Sequence, residues 1–221
     1  MLMTPIILLS LKVAVVAVGV SLPVAFALAW VLARSRFPGK LLLDGLVHLP
    51  LVVPPVVTGW LLLLAFAADG PLGMLSEHVL FRWTGAAIAS GVMALPLMVR
   101  AMRLSIEGVD RRLENAARTL GAGRVRVFAT ITLPLSLPGI LAAAILGFAR
   151  ALGEFGATIT FVSNVPGETE TLPLAIYAAL QVPGSEGAVW RLAGISVALS
   201  LAALIASELL VRRSARGQHA V

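Results

Sequence analysis

The sequence predicts an all-α integral membrane protein with about five transmembrane helices. Of its 221 residues, 59% are hydrophobic and only 13% are charged, and the mean hydropathy of +0.97 is far above that of an ordinary soluble domain. Several apolar stretches approach or exceed the roughly 20 residues that a helix needs to cross the hydrocarbon core. Most positive charges lie in clusters between these stretches. Together these observations favour a multi-span membrane protein.

The apolar stretches divide a single transmembrane domain, 1–221, into five spans. In order, we predict spans at about 6–33, 41–67, 85–104, 135–155 and 190–211. The first span resembles a secretory signal peptide in one respect, because Ala25, Phe26 and Ala27 mimic a cleavage site. No positive charge precedes it, however, and its apolar run continues for 28 residues. We therefore expect it to be retained.

The positive charges predict the orientation of the spans. Thirteen of the 17 lysines and arginines lie in 34–40, 100–126 and 212–216, which follow the first, third and fifth spans. Because cytoplasmic loops carry an excess of Lys and Arg, we expect the amino terminus outside and the carboxyl terminus inside. The excess positive charge therefore reflects membrane topology, and no nucleic acid partner is expected.

A shorter apolar segment, at about 171–182, lies between the last two spans and is bounded by proline and glycine. It has about half the spanning length, so we predict a re-entrant or interfacial helix on the outer side. A sixth full span at this place would reverse the carboxyl terminus and leave the last arginine cluster outside, against the charge bias.

The polar segment 105–134, between the third and fourth spans, predicts a cytoplasmic helix-turn-helix. Leu113, Ala116, Ala117 and Leu120 are at helical spacing and form a narrow apolar stripe. Gly121 and Gly123 then stop the helix, and Leu133 with Pro134 is predicted to open the fourth span. An exposed apolar stripe favours a protein partner. The alternative is a helix lying on lipid headgroups, for which alanine and glycine supply little anchorage.

This segment resembles the coupling loop of binding-protein-dependent ABC transporter permeases, which grips a separate ATPase subunit. Ala116, Ala117, Gly121, Ile131, Leu133 and Pro134 match the family pattern in register. The pattern has Glu where this chain has Asn115, and Glu114 precedes it by one residue. A one-residue shift turns a helical side chain by about 100°, so Glu114 cannot simply replace the family's Glu. The resemblance implies ATPase coupling through Glu114, Asn115, Ala116, Ala117, Leu120, Gly121, Ile131, Leu133 and Pro134.

Further blocks resemble the molybdate permease branch of this family, and the likeness covers nearly the whole chain. They include Phe37 to Lys40, His48 to Leu51, and the run from Gly153 to Asn164. The resemblance implies a type I ABC importer permease in the cytoplasmic (inner) membrane that translocates molybdate and tungstate. It also implies a homodimeric pore, two cytoplasmic ATPase subunits that use ATP and magnesium, and a periplasmic or lipoprotein molybdate-binding protein.

The outer end of the fourth span offers candidates for the ion pathway or its gate. Neutral hydrogen-bonding groups suit an oxyanion that must be held weakly and released, although the same groups also satisfy helix ends. Arg150 and Glu154 are four residues apart and are expected to pair. The pathway or gate candidates are Arg150, Glu154, Thr158, Thr160, Ser163 and Asn164. Weaker candidates for contacts with the binding protein are Glu168, Glu170 and Glu186.

Several function classes find no support in the sequence. There is no cysteine, and His48, His78 and His219 lack metal-ligand spacing, so we expect no metal site. No Walker sequence occurs, so the chain is not expected to be an ATPase or another enzyme, and ATP must be hydrolysed by a partner. The alternatives left open are a sulfate or other oxyanion permease, a secondary transporter or channel, and a membrane-anchored signalling subunit. A secondary transporter would normally show internal repeats, which we do not find.

Overall fold

In the computed structural model, residues 3–218 are described, with side chains through residue 206 and at Leu209, and this part of the chain contains helices and no strands. The predicted all-α membrane fold class is therefore confirmed. The helices are α1 Met3–Arg34, α2 Lys40–Val52, α3 Pro55–Phe66, α4 Ser76–Val79, α5 Trp83–Glu107, α6 Arg111–Thr119, α7 Arg124–Val127, α8 Leu133–Leu152, α9 Gly156–Val162, α10 Leu172–Leu180 and α11 Glu186–Gln218.

Four stretches of helix among the described residues are long and apolar enough to cross a membrane. They are α1, α5, the run Arg124–Leu152, and Glu186–Ala206 within α11. The pair α2 and α3 becomes a fifth span if its two halves are counted together. The number of spans and their orientation stay predictions.

The second predicted span, 41–67, is not one continuous helix. Helices α2 and α3 meet at an angle of 113°. The break falls at Val53 and Pro54, directly before Pro55. Two successive prolines remove two backbone donors, and the first also disfavours helical geometry in the residue before it. The consecutive prolines account for the break, whereas the hydropathy of the segment gives no sign of it.

The predicted boundary between the cytoplasmic segment and the fourth span is also corrected. The helix does not begin at Leu133 and Pro134. It runs continuously from Arg124 to Leu152 through a π-helical segment, Phe128–Thr132. The Leu133 N–H donates to the Phe128 carbonyl, five residues back. A π turn is one of the adjustments that accommodate proline inside a membrane helix. At the other end α8 stops at Leu152, short of the predicted 155, because Gly153 leaves the helical conformation.

Helix α5 is the centre of the fold, because 67% of its most apolar 18-residue stretch is buried inside the protein. Helices α1 and α8 pack along it through small residues. A Cβ added to Gly147 on α8 would lie 2.6 Å from the Met98 sulfur of α5, and one added to Gly91 on α5 would lie 2.6 Å from the Ser21 Oγ of α1. Glycine at these positions therefore allows the close helix contacts on which packing in a membrane depends.

Helix α9 is a short helix that the sequence did not predict as a separate element. It packs against α3, and the closest approach is at Gly59 and Ala157. A Cβ at Gly59 would overlap the Ala157 carbonyl oxygen and lie 2.9 Å from its Cα. The polar run after α8 is therefore folded back into the protein. The predicted outer helix, about 171–182, corresponds to α10, whose nine residues are too few to span.

Candidate functional site

Helix α6 carries most of the predicted coupling residues, and both of its ends are well defined. Asp110 caps its start, because its Oδ1 accepts a 2.8 Å hydrogen bond from the Arg112 N–H. At its end the Ala122 N–H donates to the Ala117 carbonyl and the Gly121 N–H donates to the Arg118 carbonyl, both at 3.0 Å. This is a Schellman motif, and it requires the left-handed conformation that Gly121 adopts, with φ of +87°.

One side of α6 exposes the predicted apolar stripe. Leu113 is 50% exposed and Leu120 is 89% exposed. Ala116 is exposed and Ala117 is half-buried. Val125, which was not predicted as part of this surface, adjoins it in sequence and is 81% exposed. Apolar side chains displayed on a polar segment form a surface suited to docking another protein.

The other side of α6 attaches the helix to the rest of the protein through Glu114. This side chain is buried, and its Oε1 accepts hydrogen bonds from the Arg34 Nη2 at 2.8 Å and the Thr132 Oγ1 at 2.7 Å. Glu114 was predicted as one of the ATPase-coupling residues, and its side chain is turned inward. Asn115, the next residue, is exposed. The structure thus separates the two polar neighbours into an internal anchor and a surface group.

Two residues of this anchor, Arg34 and Thr132, were missed by sequence reasoning. Arg34 was interpreted only as a topology signal at the end of the first span. Thr132 occupies the unspecified position between Ile131 and Leu133 of the matched pattern. The position of Thr132 inside that pattern was the available signal. Ile131 and Leu133 are half-buried and Pro134 is exposed, so these residues lie at the base of the loop and not on α6 itself.

At the other predicted site, Arg150 and Glu154 form the expected ion pair. The Arg150 Nη1 lies 2.5 Å from the Glu154 Oε2. The second oxygen of Glu154 accepts a 2.9 Å hydrogen bond from the Ala157 N–H in the first turn of α9. Glu154 lies beyond the end of α8 and is buried. The pair therefore connects the end of α8 to the start of α9.

The four neutral candidates on this segment are in different environments. Thr160 donates to the Gly156 carbonyl at 2.9 Å, which satisfies its hydroxyl within α9. Ser163 is exposed and has a positive φ of 57°. The Thr158 Oγ1 and the Asn164 Oδ1 are buried and have no hydrogen-bond partner among the described residues. An unsatisfied buried polar group costs roughly 1–3 kcal/mol, so Thr158 and Asn164 are the candidates that call for an additional partner.

The acidic residues predicted to contact a binding protein are not equally available. Glu186 is exposed at the start of α11 and Glu168 is half-buried. Glu170 is buried, only 7% exposed, so it is not available on the surface of this chain for such a contact. Thr169, which sequence reasoning did not select, joins the loop by donating to the Ser163 carbonyl at 2.8 Å and accepting from the Val165 N–H at 2.7 Å.

The histidines that the structure describes do not take part in the two candidate sites above. The His48 Nδ1 lies 2.8 Å from the Asp44 carbonyl oxygen, and His219 lies outside the described residues. Within residues 3–206, no three His, Asp or Glu side chains group in a way that could hold a metal ion.

Comparisons with known proteins place these features in a family. Residues 21–216 match the family model described as "Binding-protein-dependent transport system inner membrane component". The chain is 57% identical to the molybdenum transport system permease protein ModB of Escherichia coli K12, over 94% of this chain and 93% of that protein. It is 55% identical to ModB of Haemophilus influenzae, over 93% and 92% of the two chains.

More distant likenesses have other substrates. The sulfate transport system permease protein CysT of Salmonella typhimurium is 38% identical, over 70% of this chain and 57% of that protein. A solved structure of the MetNI methionine ABC transporter in inward-facing conformations matches with a TM-score of 0.76 over 96% of both chains. Its sequence identity of 16% means that this match shows the fold alone. This chain belongs to the family of binding-protein-dependent transport system inner membrane components, and within it to the molybdenum transport permeases.

Proposed function

We propose that this chain is the transmembrane pore subunit of an ATP-driven importer of molybdate and tungstate. The observation that carries the proposal is the 57% identity to a molybdenum transport permease over 94% of the chain. The exposed apolar side of α6 supports it, because a pore subunit without its own ATPase must receive motion through a contact surface. The sulfate permeases are less similar, at 38% and 36% identity.

We propose α6 as the element that receives this motion. Its exposed side offers Leu113, Ala116 and Leu120 to an ATPase groove. Its inner side is held by Glu114 to Arg34 at the end of α1 and to Thr132 at the base of α8. A force applied to α6 is therefore transmitted to two spanning helices through short, charge-assisted hydrogen bonds. Asn115, at the position of the family's Glu, contacts the ATPase in this proposal through a neutral amide.

The partners follow from this assignment. The sequence contains no Walker motif, so ATP and magnesium are bound by two ATPase subunits on the cytoplasmic side. An external binding protein delivers the ion, with Glu168 and Glu186 as candidate contacts. The pore is formed with a second copy of this chain in the inner membrane, with the amino terminus outside and the carboxyl terminus inside. The chain itself is a permease and not an enzyme.

We propose that the ion passes the segment that follows α8. The Arg150 and Glu154 charges neutralise each other at 2.5 Å, which leaves no strong fixed charge to trap a divalent oxyanion. The Thr158 hydroxyl is a donor without an acceptor in the described part of the chain. A neutral donor of this kind, completed by the ion or by the second copy, holds an oxyanion weakly enough to release it. Movement of α8 relative to α9 then opens or closes the outer gate.

The test is uptake of labelled molybdate into proteoliposomes that contain this chain, its ATPase and its binding protein. We expect uptake that requires ATP, is blocked by excess tungstate and is unaffected by excess sulfate. Uptake blocked by sulfate would assign the chain to sulfate transport. Uptake without ATP would overturn the ABC importer assignment in favour of a secondary transporter or channel.

A further inference from the structure

A cavity of about 370 Å³ lies between α6, the end of α1 and the π segment. Its position is distinct from the exposed apolar stripe, because its lining residues on α6 are Arg111, Glu114, Asn115 and Arg118. These residues are spaced i, i+3, i+4 and i+7, which places them on one side of the helix. The cavity therefore borders a side of α6 that carries none of the apolar stripe residues, and of the proposed ATPase contacts only Asn115 lies at its edge.

The lining of this cavity carries an excess of positive charge. Four arginines line it, Arg34, Arg111, Arg118 and Arg124, against the single carboxylate of Glu114. Four positive charges less one negative charge leave +3. The Glu114 Oε1 is already engaged by Arg34 and Thr132. Among the described side chains, the other three arginines have no carboxylate within ion-pair distance.

Arg34 adds a second observation that points to a missing ligand. Its Nη2 binds Glu114 at 2.8 Å, but its Nε is buried and has no hydrogen-bond partner among the described residues. Arginine presents its N–H groups in a planar fork that binds two oxygens of a phosphate at once. An oxyanion in the cavity would supply an acceptor near this donor and would compensate the surrounding charge.

The aromatic side chains of the cavity locate it at the membrane surface. Trp30 and Phe128 both line it and contact each other edge to face, with ring centroids 5.0 Å apart. Trp30 lies one turn before Arg34, the last residue of the spanning helix α1. Tryptophan is enriched where the hydrocarbon core meets water, which is also the depth of lipid headgroups. The cavity thus combines an aromatic wall at headgroup level with a cluster of arginines.

We propose that this cavity binds the phosphate headgroup of an anionic phospholipid such as cardiolipin or phosphatidylglycerol. Basic pockets between transmembrane helices, at the level of the headgroups, suit such lipids. The headgroup joins α6 to α1 and α7 alongside the Glu114 anchor, so that the coupling helix is held at a fixed depth. Bound lipid therefore strengthens the connection through which α6 acts on the spans.

The test compares two double variants of the complex of this chain with its ATPase. R118Q/R124Q removes two cavity arginines, and R112Q/R126Q removes two exposed arginines of the same segment that do not line the cavity. Binding of added cardiolipin and of phosphatidylcholine is measured by native mass spectrometry in detergent. We expect wild type to prefer cardiolipin, R118Q/R124Q to bind it about tenfold more weakly, and R112Q/R126Q to match wild type, because each arginine near a headgroup contributes substantially to anionic lipid binding.

Three outcomes would overturn the proposal. An equal loss of cardiolipin binding in both double variants would mean that binding depends on the general positive charge of the segment and not on the cavity. Equal binding of cardiolipin and phosphatidylcholine by wild type would mean that the cavity does not recognise an anionic headgroup. Dissociation of the ATPase from R118Q/R124Q, with cardiolipin binding unchanged, would assign the arginines to the protein partner.

Discussion

Helix α6 and helix α9 differ in which of their groups are left without a partner or a cover. In α6 the buried Glu114 carboxylate accepts hydrogen bonds from Arg34 and Thr132, while Leu120 is 89% exposed. In α9 the backbone is tightly packed against α3, while the buried Thr158 hydroxyl has no hydrogen-bond partner among the residues that the structure describes. In α6, therefore, the buried carboxylate is paired and an apolar surface is left uncovered. In α9, by contrast, the backbone is closely packed and a buried hydroxyl lacks a hydrogen-bond partner among the described residues.

This difference indicates which kind of partner would complete each region. An apolar surface left exposed on a well-anchored helix is completed by a protein that covers it. A buried hydroxyl without a partner is completed by a hydrogen-bond acceptor, such as a passing oxyanion or a second copy of the chain. In the proposed function, α6 is therefore the docking element and α9 the element that contacts the ion.

The largest effect is expected at Glu114, compared with its neighbour Asn115. Glu114→Ala removes the partner of Arg34, whose side chain is only 12% exposed. Removal of one member of a buried ion pair costs about 3–5 kcal/mol. We therefore expect a large fall in thermal stability in detergent. Asn115→Ala is expected to leave stability unchanged and to weaken ATPase binding. Equal stability of the two variants would contradict the anchor role of Glu114.

A smaller loss of stability is expected from Gly59→Ala, at the contact of α3 and α9. The added Cβ would overlap the Ala157 carbonyl, and overpacking of this kind costs about 1–3 kcal/mol. The matched control is Gly45→Ala on α2, where nothing lies within 4 Å of the added Cβ. Thermal unfolding of both variants in detergent measures the effect. If Gly59→Ala were as stable as Gly45→Ala, the close packing of α9 on α3 would be wrong.

A substitution at Gly121 is expected to affect the coupling of ATP hydrolysis to uptake more than it affects folding. Gly121→Leu forces a left-handed conformation on a side chain with open space around it, at a cost of about 1–2 kcal/mol. We expect the variant to insert in the membrane, to bind ATPase weakly and to lose most ATP-driven uptake. Gly123→Ala serves as the control, because the φ of Gly123 is −66° and suits any residue. Molybdate uptake by Gly121→Leu at the wild-type rate would contradict the proposed coupling role of the end of α6.

The smallest effect on stability is expected from Thr158→Val, which replaces an unpartnered hydroxyl by a methyl group of similar size. Since the Thr158 hydroxyl has no hydrogen bond to lose in the described part of the chain, stability should be unchanged or slightly higher. Molybdate uptake should nevertheless fall, because a donor along the pathway is removed. Thr160→Val is the comparison, since Thr160 already bonds to Gly156. Uptake by Thr158→Val at the wild-type rate would exclude Thr158 from the pathway.

Much of the fold could be predicted because a membrane imposes simple rules on sequence. The apolar runs predicted α1 and α5 closely, since hydrophobic length decides which helices can span. The end of α6 was also predicted, because Gly121 is a strong helix stop signal, whereas the capping residue Asp110 was not identified from the sequence. Pro54 and Pro55 stand at the break between α2 and α3, but the bend of 113° was not predicted.

The inner side of the candidate site could not be predicted by the same means. Whether Glu114 or Asn115 faces inward depends on Arg34, which is 80 residues away in sequence. Helical periodicity gives the angle between the two side chains but not the direction of either one. The burial of Glu170 and of the Thr158 hydroxyl likewise depends on how 153–171 folds back between other helices. Such long-range contacts leave no local pattern in a single sequence.

The most direct test of the docking role of α6 is single-cysteine labelling. The chain has no cysteine, so Leu120→Cys introduces one reactive thiol on the exposed side of α6. Met74→Cys is the control, because Met74 is equally exposed, at 89%, and lies outside the 105–134 segment. Both variants are labelled with a maleimide in detergent, with and without the ATPase subunit. We expect the ATPase to protect Leu120→Cys and to leave Met74→Cys fully reactive. Equal labelling of Leu120→Cys with and without bound ATPase would contradict the docking role of α6.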